Sequence, residues 1–414
     1  MTAIAPLPNA EDARRLAEAV NAAPRLPPFA QAAKDALAEL SRRILAAPDL
    51  ARRAEAVALG FWLRPANVAA LETDFAGLSR PGSLRVPAGL ALHFPPANVD
   101  TMPIYSWALS LLAGNHNIVR LSARRGALAT QLVELAGDVL AKRPELAAGN
   151  TFVQYGHDDA TSAALSAACD LRIIWGGNAS VAKVRAIPLP PYAKEVAFAD
   201  RLSLAALSAD AVVNADAASL ARLAQGLFND VYSFDQMGCS SPRLLVWVGT
   251  PKHARSAADR LEQAMEAELA RRGHHIDPAL AMSKLAFACG LAADGTAWAI
   301  HRRSTDWMVA DLGDGMPSPL PHGHCGGGLL LACRVDKLAD IAPAMDRSVQ
   351  TLTHFGFGLD TLERLAQACL GRGIDRMVPV GEALAFGALW DGYDLWNEMT
   401  RVVQFGGPVR CQRS

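Results

Sequence analysis

Residues 84–98 read L-R-V-P-A-G-L-A-L-H-F-P-P-A-N. The apolar run stops at Phe94, and two prolines then forbid a helix and end strand pairing, so the spacing predicts a strand closed by a proline turn that presents Asn98. The pattern then repeats. A helix is expected over 101–113, a strand over 118–121, a helix over 127–141, a strand over 151–155, a helix over 158–168, and a strand over 171–175 ending in Gly176-Gly177-Asn178. Strands alternating with helices at this spacing imply an α/β protein with a doubly wound parallel sheet. Ligands of such sheets bind off the carboxyl ends of the strands, where Asn98, Arg120, Ser122 and Gly176 all fall. The W-G-G-N-A-S turn lets a cofactor approach the backbone closely, but it lacks the G-x-G-x-x-G spacing and reads equally well as a plain helix entry.

Working outward, residues 10–22, 29–45 and 50–62 carry Leu and Ala at helical spacing. On the other side, prolines at 188, 190 and 191 mark 186–200 as a crossover. A second α/β lobe follows. Its expected elements are a strand over 202–207, helices over 220–232, 254–272 and 275–291, strands over 244–248 and around 307–309, a Gly- and Pro-rich loop over 313–328, a helix over 341–350, a strand over 352–357 and a helix over 361–369. The domains read as 1–205, N-terminal helices with the first α/β lobe; 206–385, the second α/β lobe; and 386–414, a tail that returns to the first domain or contacts another subunit.

Between the helix ending at Tyr232 and the strand starting at Leu244 lies D-V-Y-S-F-D-Q-M-G-C-S-S-P, residues 230–242. Cys239 is set among Gly238, Ser240 and Ser241, and Pro242 stops any helix from continuing. A thiol at a tight turn between helix and strand is presented together with backbone N–H groups, the arrangement a thiolate nucleophile with an oxyanion site needs. A small buried thiol is the plainer alternative.

Composition removes several classes of function. The 414 residues carry a formal net charge of -1, and no basic tract has interleaved aromatics, so nucleic acid is not an expected partner. No stretch of about 18 uninterrupted apolar residues occurs, so no membrane span is expected. Residues 1–10 lack the pattern of a secretory signal, and the seven scattered cysteines form no C-x-x-C pair, which together point to a reducing cytoplasm. His322, His324 and Cys325 lack a second ligand pair at zinc spacing, so no metal is expected there. His93, His157, His253 and His354 are isolated and read as structural. Trp390, Tyr393 and Trp396 share helical spacing and read as core or subunit contact. A thiol hydrolase or acyltransferase using Cys239 is the rival enzyme class, and a non-catalytic partner subunit is a third reading.

The ordered set P-P-A-N, G-N-x-x-I-V-R-L-S, W-G-G-N and F-D-Q-M-G-C-S-S-P resembles the aldehyde dehydrogenase superfamily. Within it the chain is most similar to the acyl-CoA reductase family, typified by the reductase subunit of the bacterial luminescence fatty-acid reductase complex. The tail V-G-E-A-L-A-F-G-A-L-W-D-G-Y-D-L-W-N-E-M-T-R looks like that family's C-terminal signature. The resemblance implies a cofactor-binding domain plus an α/β catalytic domain, with Cys239 as nucleophile. It also implies that the Asn98 amide joins the Cys239 N–H in an oxyanion site. Arg120 to Ser122 and Gly176-Gly177-Asn178 match its cofactor-binding elements, and a homo-oligomer is the implied assembly.

Two departures carry information. Aldehyde-oxidising members hold a catalytic glutamate before the strand corresponding to 202–207, where this chain has Phe198 or Ala199, with Glu195 offset. Without a base to activate water, a thioester on Cys239 persists long enough to be reduced. Where NAD-preferring relatives carry an acidic residue, this chain has Ala123 followed by Arg124 and Arg125. Guanidinium groups suit a 2′-phosphate, so NADPH is expected ahead of NADH. The expected reaction is reduction of an acyl-CoA, or another acyl thioester delivered by a carrier or an acyl-donating partner protein, to the aldehyde.

Overall fold

The computed structural model describes residues 4–405 other than His157, Arg303 and His322. The chain divides into two compact units, one running to Ala199 and resuming at Phe386, the other Asp200–Ala385. The boundary falls ahead of the expected 205 because strand Leu202–Ser208 pairs on both sides with strands of the second unit.

In the first unit six strands lie in the order Ile4–Pro6, Asn150–Gln154, His116–Leu121, Leu90–Phe94, Leu171–Trp175, Lys194–Phe198, and every pair is parallel. The chain steps outward from Leu90–Phe94 in one direction, then returns to lay Leu171–Trp175 on its other side. In such sheets that reversal marks the carboxyl ends of the two strands as the place where ligands bind. Leu90, Leu92 and Phe94 enter one core and Ala91, Val119 and Leu121 the other, so both faces are covered and the strands are apolar throughout. The crossover over 186–200 contains the strand Lys194–Phe198, hidden in the sequence by the prolines before it. A further helix, Pro65–Gly77, starts at a proline whose missing N–H is harmless in the first turn.

Trp390, Tyr393 and Trp396 do not share a helix. Leu389–Trp390 and Tyr393–Asp394 form an antiparallel pair, turned by Asp391 and Gly392 at φ 51° and 78°, and a short helix Leu395–Met399 follows. Trp390 and Trp396 are buried in the first unit's core. Thr400–Gln404 then pairs antiparallel with Ser83–Pro87, leaving Leu84, Val402 and Val403 exposed.

The second unit has seven strands in the order Ala299–Arg302, Met308–Asp314, Leu329–Val335, Pro242–Val248, Leu202–Ser208, Val349–Phe355, Arg376–Pro379, all parallel except the first pair. Helices Ala217–Tyr232 and Pro251–Arg272 cover one face, and Pro278–Ala293 packs toward the other. The helix expected over 341–350 is instead a 3-10 turn, Leu338–Ala344, followed by the strand from Val349, because Pro343 cannot continue an α-helix. Asp230, fully buried, accepts the N–H of Gly381 at 2.7 Å and of Ala383 at 3.0 Å, tying the V-G-E-A segment to helix Ala217–Tyr232. Burial pushes its carboxyl up to about 7. Among the described residues no helix is long and apolar enough to cross a membrane.

Candidate active site

Cys239 lies in the turn that enters strand Pro242–Val248, at the amino edge of the second sheet, half-buried between the buried Gly238 and Ser240. The backbone leading to it is strained. Phe234, Asp235 and Gln236 have φ of 53°, 51° and 63°, a left-handed run of three non-glycine residues. Each costs of order 1–3 kcal/mol and persists only when its surroundings hold it. Here the holding is visible. The buried Gln236 donates from Nε2 to the carbonyls of Pro242 and Leu329, both at 2.9 Å, and its Oε1 accepts the Gly328 N–H at 3.0 Å. Gly327 N–H donates to the Asp235 carbonyl at 3.0 Å. Gly328 must be glycine on two grounds: φ is +77°, and a Cβ would meet the Tyr232 ring at 2.4 Å. Beyond the strain, Ser203 Oγ donates to the Cys239 carbonyl at 2.8 Å and accepts from Thr351 N–H at 3.3 Å, while Gln350 Nε2 donates to Ser240 Oγ at 3.1 Å.

Gln236→Ala leaves two carbonyls and an amide without their partner. The expected loss is about 3 kcal/mol of unfolding free energy, with turnover falling in step. Urea denaturation measures it, and a wild-type midpoint would show that Gln236 does not hold the turn.

The loop 324–328 is therefore a buttress. His324 accepts the Gly326 N–H on Nδ1 and donates from Nε2 to the Leu329 carbonyl, each at 2.9 Å; burial pushes it down to about 4, so the ring is neutral. Lys284, fully buried and lowered to about 8 by that burial, donates to the carbonyls of Asp306 at 2.9 Å and Gly327 at 2.8 Å. Both ring nitrogens of His324 are thus in use; His322 and His157 lie outside the described residues. His93 is buried, bonded to Ser106 at 2.8 Å and Asn117 at 3.0 Å, and pushed down to about 4 by burial. His253 pairs with Asp210 at the surface.

In the first unit the other expected residues gather at the carboxyl edge of the sheet. Asn98 is exposed in the bend after strand Leu90–Phe94. Gly176, Gly177 and Asn178 follow the neighbouring strand, Leu171–Trp175, and Gly177 caps helix Asn178–Arg185. Neither glycine takes a left-handed backbone, and a Cβ on Gly176 would meet only Ser180 at 3.5 Å, so their contribution is an edge without side chains. Arg120 and Ser122 end the strand on the other side. Asp100, unremarked in the sequence, accepts the Gly126 N–H at 3.2 Å and so links the Asn98 turn to the arginine turn.

The two arginines differ. Arg125 is half-buried and committed, donating to Gln154 Oε1 at 2.6 Å, the Ser122 carbonyl at 3.1 Å and Thr130 Oγ1 at 3.0 Å. Arg124 is exposed, and among the described residues its backbone N–H alone is tied, to Ser122 Oγ at 3.1 Å. The guanidinium of Arg120 stands over the Tyr155 ring at 5.3 Å.

Glu195 is held by two arginines. Arg172, itself 2% exposed, donates to it from Nε at 2.7 Å and from its second amine, and Arg185 donates at 2.9 Å. Phe198 is buried and stacked on Trp175 with centroids 3.6 Å apart.

Solved structures similar to the chain include several dehydrogenases. They include methylmalonate-semialdehyde dehydrogenase from Oceanimonas doudoroffii, TM-score 0.68, 14% identical over 95% of this chain and 90% of that one. NAD-dependent aldehyde dehydrogenase from Sinorhizobium meliloti has TM-score 0.65 and 16% identity over 98% and 89%. Proline utilization A from Bradyrhizobium japonicum has TM-score 0.65 and 14% identity over 96% of this chain, which spans 45% of that longer protein. The fold is that of the aldehyde dehydrogenase superfamily. No curated protein matches the chain in sequence. The family model for acyl-CoA reductase (LuxC) matches residues 82–402, and the chain belongs to that family, as an oxidoreductase.

Proposed function

We propose that the protein reduces an acyl thioester, most simply an acyl-CoA, to the aldehyde through an acyl group carried on Cys239, with NADPH as reductant. The observation that carries this reading is a pinned, strained thiol turn combined with the locked Glu195. The Cys239 thiolate attacks the acyl carbonyl and the thiol of the donor leaves. The Asn98 amide and the Cys239 N–H stabilise the oxyanion, each such donor contributing about 3 kcal/mol. With its carboxylate tied to Arg172 and Arg185, Glu195 does not activate water, so the thioester survives until it is reduced.

The carboxyl edge of the first unit's sheet suits a dinucleotide: Gly176 and Gly177 leave the edge open, helix Asn178–Arg185 begins there, and Arg120, Ser122 and Arg124 flank it. When bound, the nicotinamide supplies the hydride that, with one proton, releases the aldehyde and restores the thiol. Arg124 is the arginine placed to meet a 2′-phosphate, because Arg125 is spent on its own loop. Arg124→Ala should raise KM for NADPH about tenfold and leave KM for NADH unchanged. Initial rates with both cofactors measure this, and an equal effect on both would remove Arg124 from 2′-phosphate recognition.

Absorbance at 340 nm in the presence of acyl-CoA tests the function as a whole. Consumption of NADPH supports it; release of CoA without consumption supports a hydrolase or acyltransferase. The reading includes a homo-oligomer in the cytoplasm, supported by the exposed apolar strand pair Ser83–Pro87 and Thr400–Gln404 and by the need for a reduced thiol.

A further inference from the structure

We infer that Arg243 is a positioning residue for the reaction, its guanidinium serving as the cationic partner that holds Cys239 as a thiolate. The inference rests on the reading of Cys239 as nucleophile and adds the source of its charge. Arg243 follows Cys239 by four residues, at the second position of strand Pro242–Val248, half-buried between the buried Pro242 and Leu244. Its Nε is buried and has no hydrogen-bond partner among the described residues. A guanidinium donor withdrawn from water and left without an acceptor is costly, and the group that resolves the cost is an anion.

Three titratable groups interact with it electrostatically. Burial lowers the pKa of Arg243, and the groups opposing that are Cys239, when its thiol is ionised, and, more weakly, the Asp200 carboxylate. His324 is the third; it is neutral, with both nitrogens bonded, and the Arg243 charge helps keep it so. Lys284 is occupied by two carbonyls, and Cys325, next to His324 in sequence, is pushed up by burial. Of the groups around the guanidinium, the thiol is the one whose ionisation the chemistry requires. With Glu195 locked to arginines, a fixed cation supplies the thiolate without a base.

The test is the pH dependence of Cys239 alkylation by iodoacetamide, followed by peptide mass spectrometry in the whole protein. Wild-type Cys239 should ionise below the ordinary thiol value of about 8.5. Arg243→Met should move the profile upward and slow alkylation at pH 7 about tenfold, and Arg243→Lys should restore most of it. A merely structural role would not move the profile of a folded variant. Superimposable profiles for wild type and Arg243→Met would overturn the proposal, as would an ordinary or raised value in wild type, which needs no variant to fold. Acylation of wild-type Cys239 by an acyl-CoA is read separately, so failure of the Arg243 role and failure of the nucleophile assignment remain distinct.

Discussion

Cys239→Ala should lower acyl-CoA reduction by about 10⁴-fold or more while leaving NADPH binding unchanged, as expected when a covalent nucleophile is removed from machinery that acts as a unit. The substitution is mild for the fold. Cys239 is half-buried, and the anchor of its turn is its carbonyl, which accepts from Ser203 in either variant. Gln236 and the glycine loop continue to hold the strained backbone. Fluorescence of bound NADPH reports the cofactor, absorbance at 340 nm reports turnover, and the two should separate cleanly. Turnover persisting near the wild-type rate would require another acyl acceptor; Cys289, exposed on helix Pro278–Ala293, is the thiol to check in that event.

Asn98→Ala should lower kcat about 10²- to 10³-fold, the range found when one oxyanion donor is lost. Asn98 is exposed in a bend, so its truncation should change stability by no more than about 0.5 kcal/mol. The same bend is kept in place from Asp100, which holds Gly126, so the backbone of the turn does not depend on the amide. Loss of rate at unchanged unfolding midpoint is the expected pair of results. An unaltered kcat would place Asn98 outside the oxyanion site, and a large drop in stability would make its role structural.

What the sequence discloses and what it hides divide along physical lines. Helix Ala127–Ala141 and strand Leu171–Trp175 have the bounds their periodicity predicts, because each is a strongly patterned run closed by glycine, charge or a tight turn. The proline-rich approach hides the strand Lys194–Phe198, and the apolar spacing over 341–350 suggests a helix that Pro343 prevents. The tail aromatics show the weakness of spacing alone: Trp390, Tyr393 and Trp396 fall on two short strands and a short helix.

For the site, residue type at a turn was enough to single out Cys239. The supports of that turn were not legible, since Gln236 reaches Leu329 and Gly328, and Ser240 meets Gln350, across 93, 92 and 110 positions of sequence. Only the closed fold brings such partners together. The same is true of the difference between Arg124 and Arg125, which are adjacent in sequence yet one is exposed and the other bonded to Gln154. Locking of Glu195 is likewise a product of the fold: strand pairing sets Arg172 directly opposite Glu195 in register, and Arg185 reaches it from helix Asn178–Arg185.

Mass spectrometry of the Cys239 peptide, after incubation with acyl-CoA and no reductant, tests the covalent step on which the account stands. The account predicts that this peptide gains the mass of the acyl group, loses it on addition of NADPH, and stays unmodified in Cys239→Ala. A peptide that remains unacylated while the protein still converts acyl-CoA to aldehyde would contradict it.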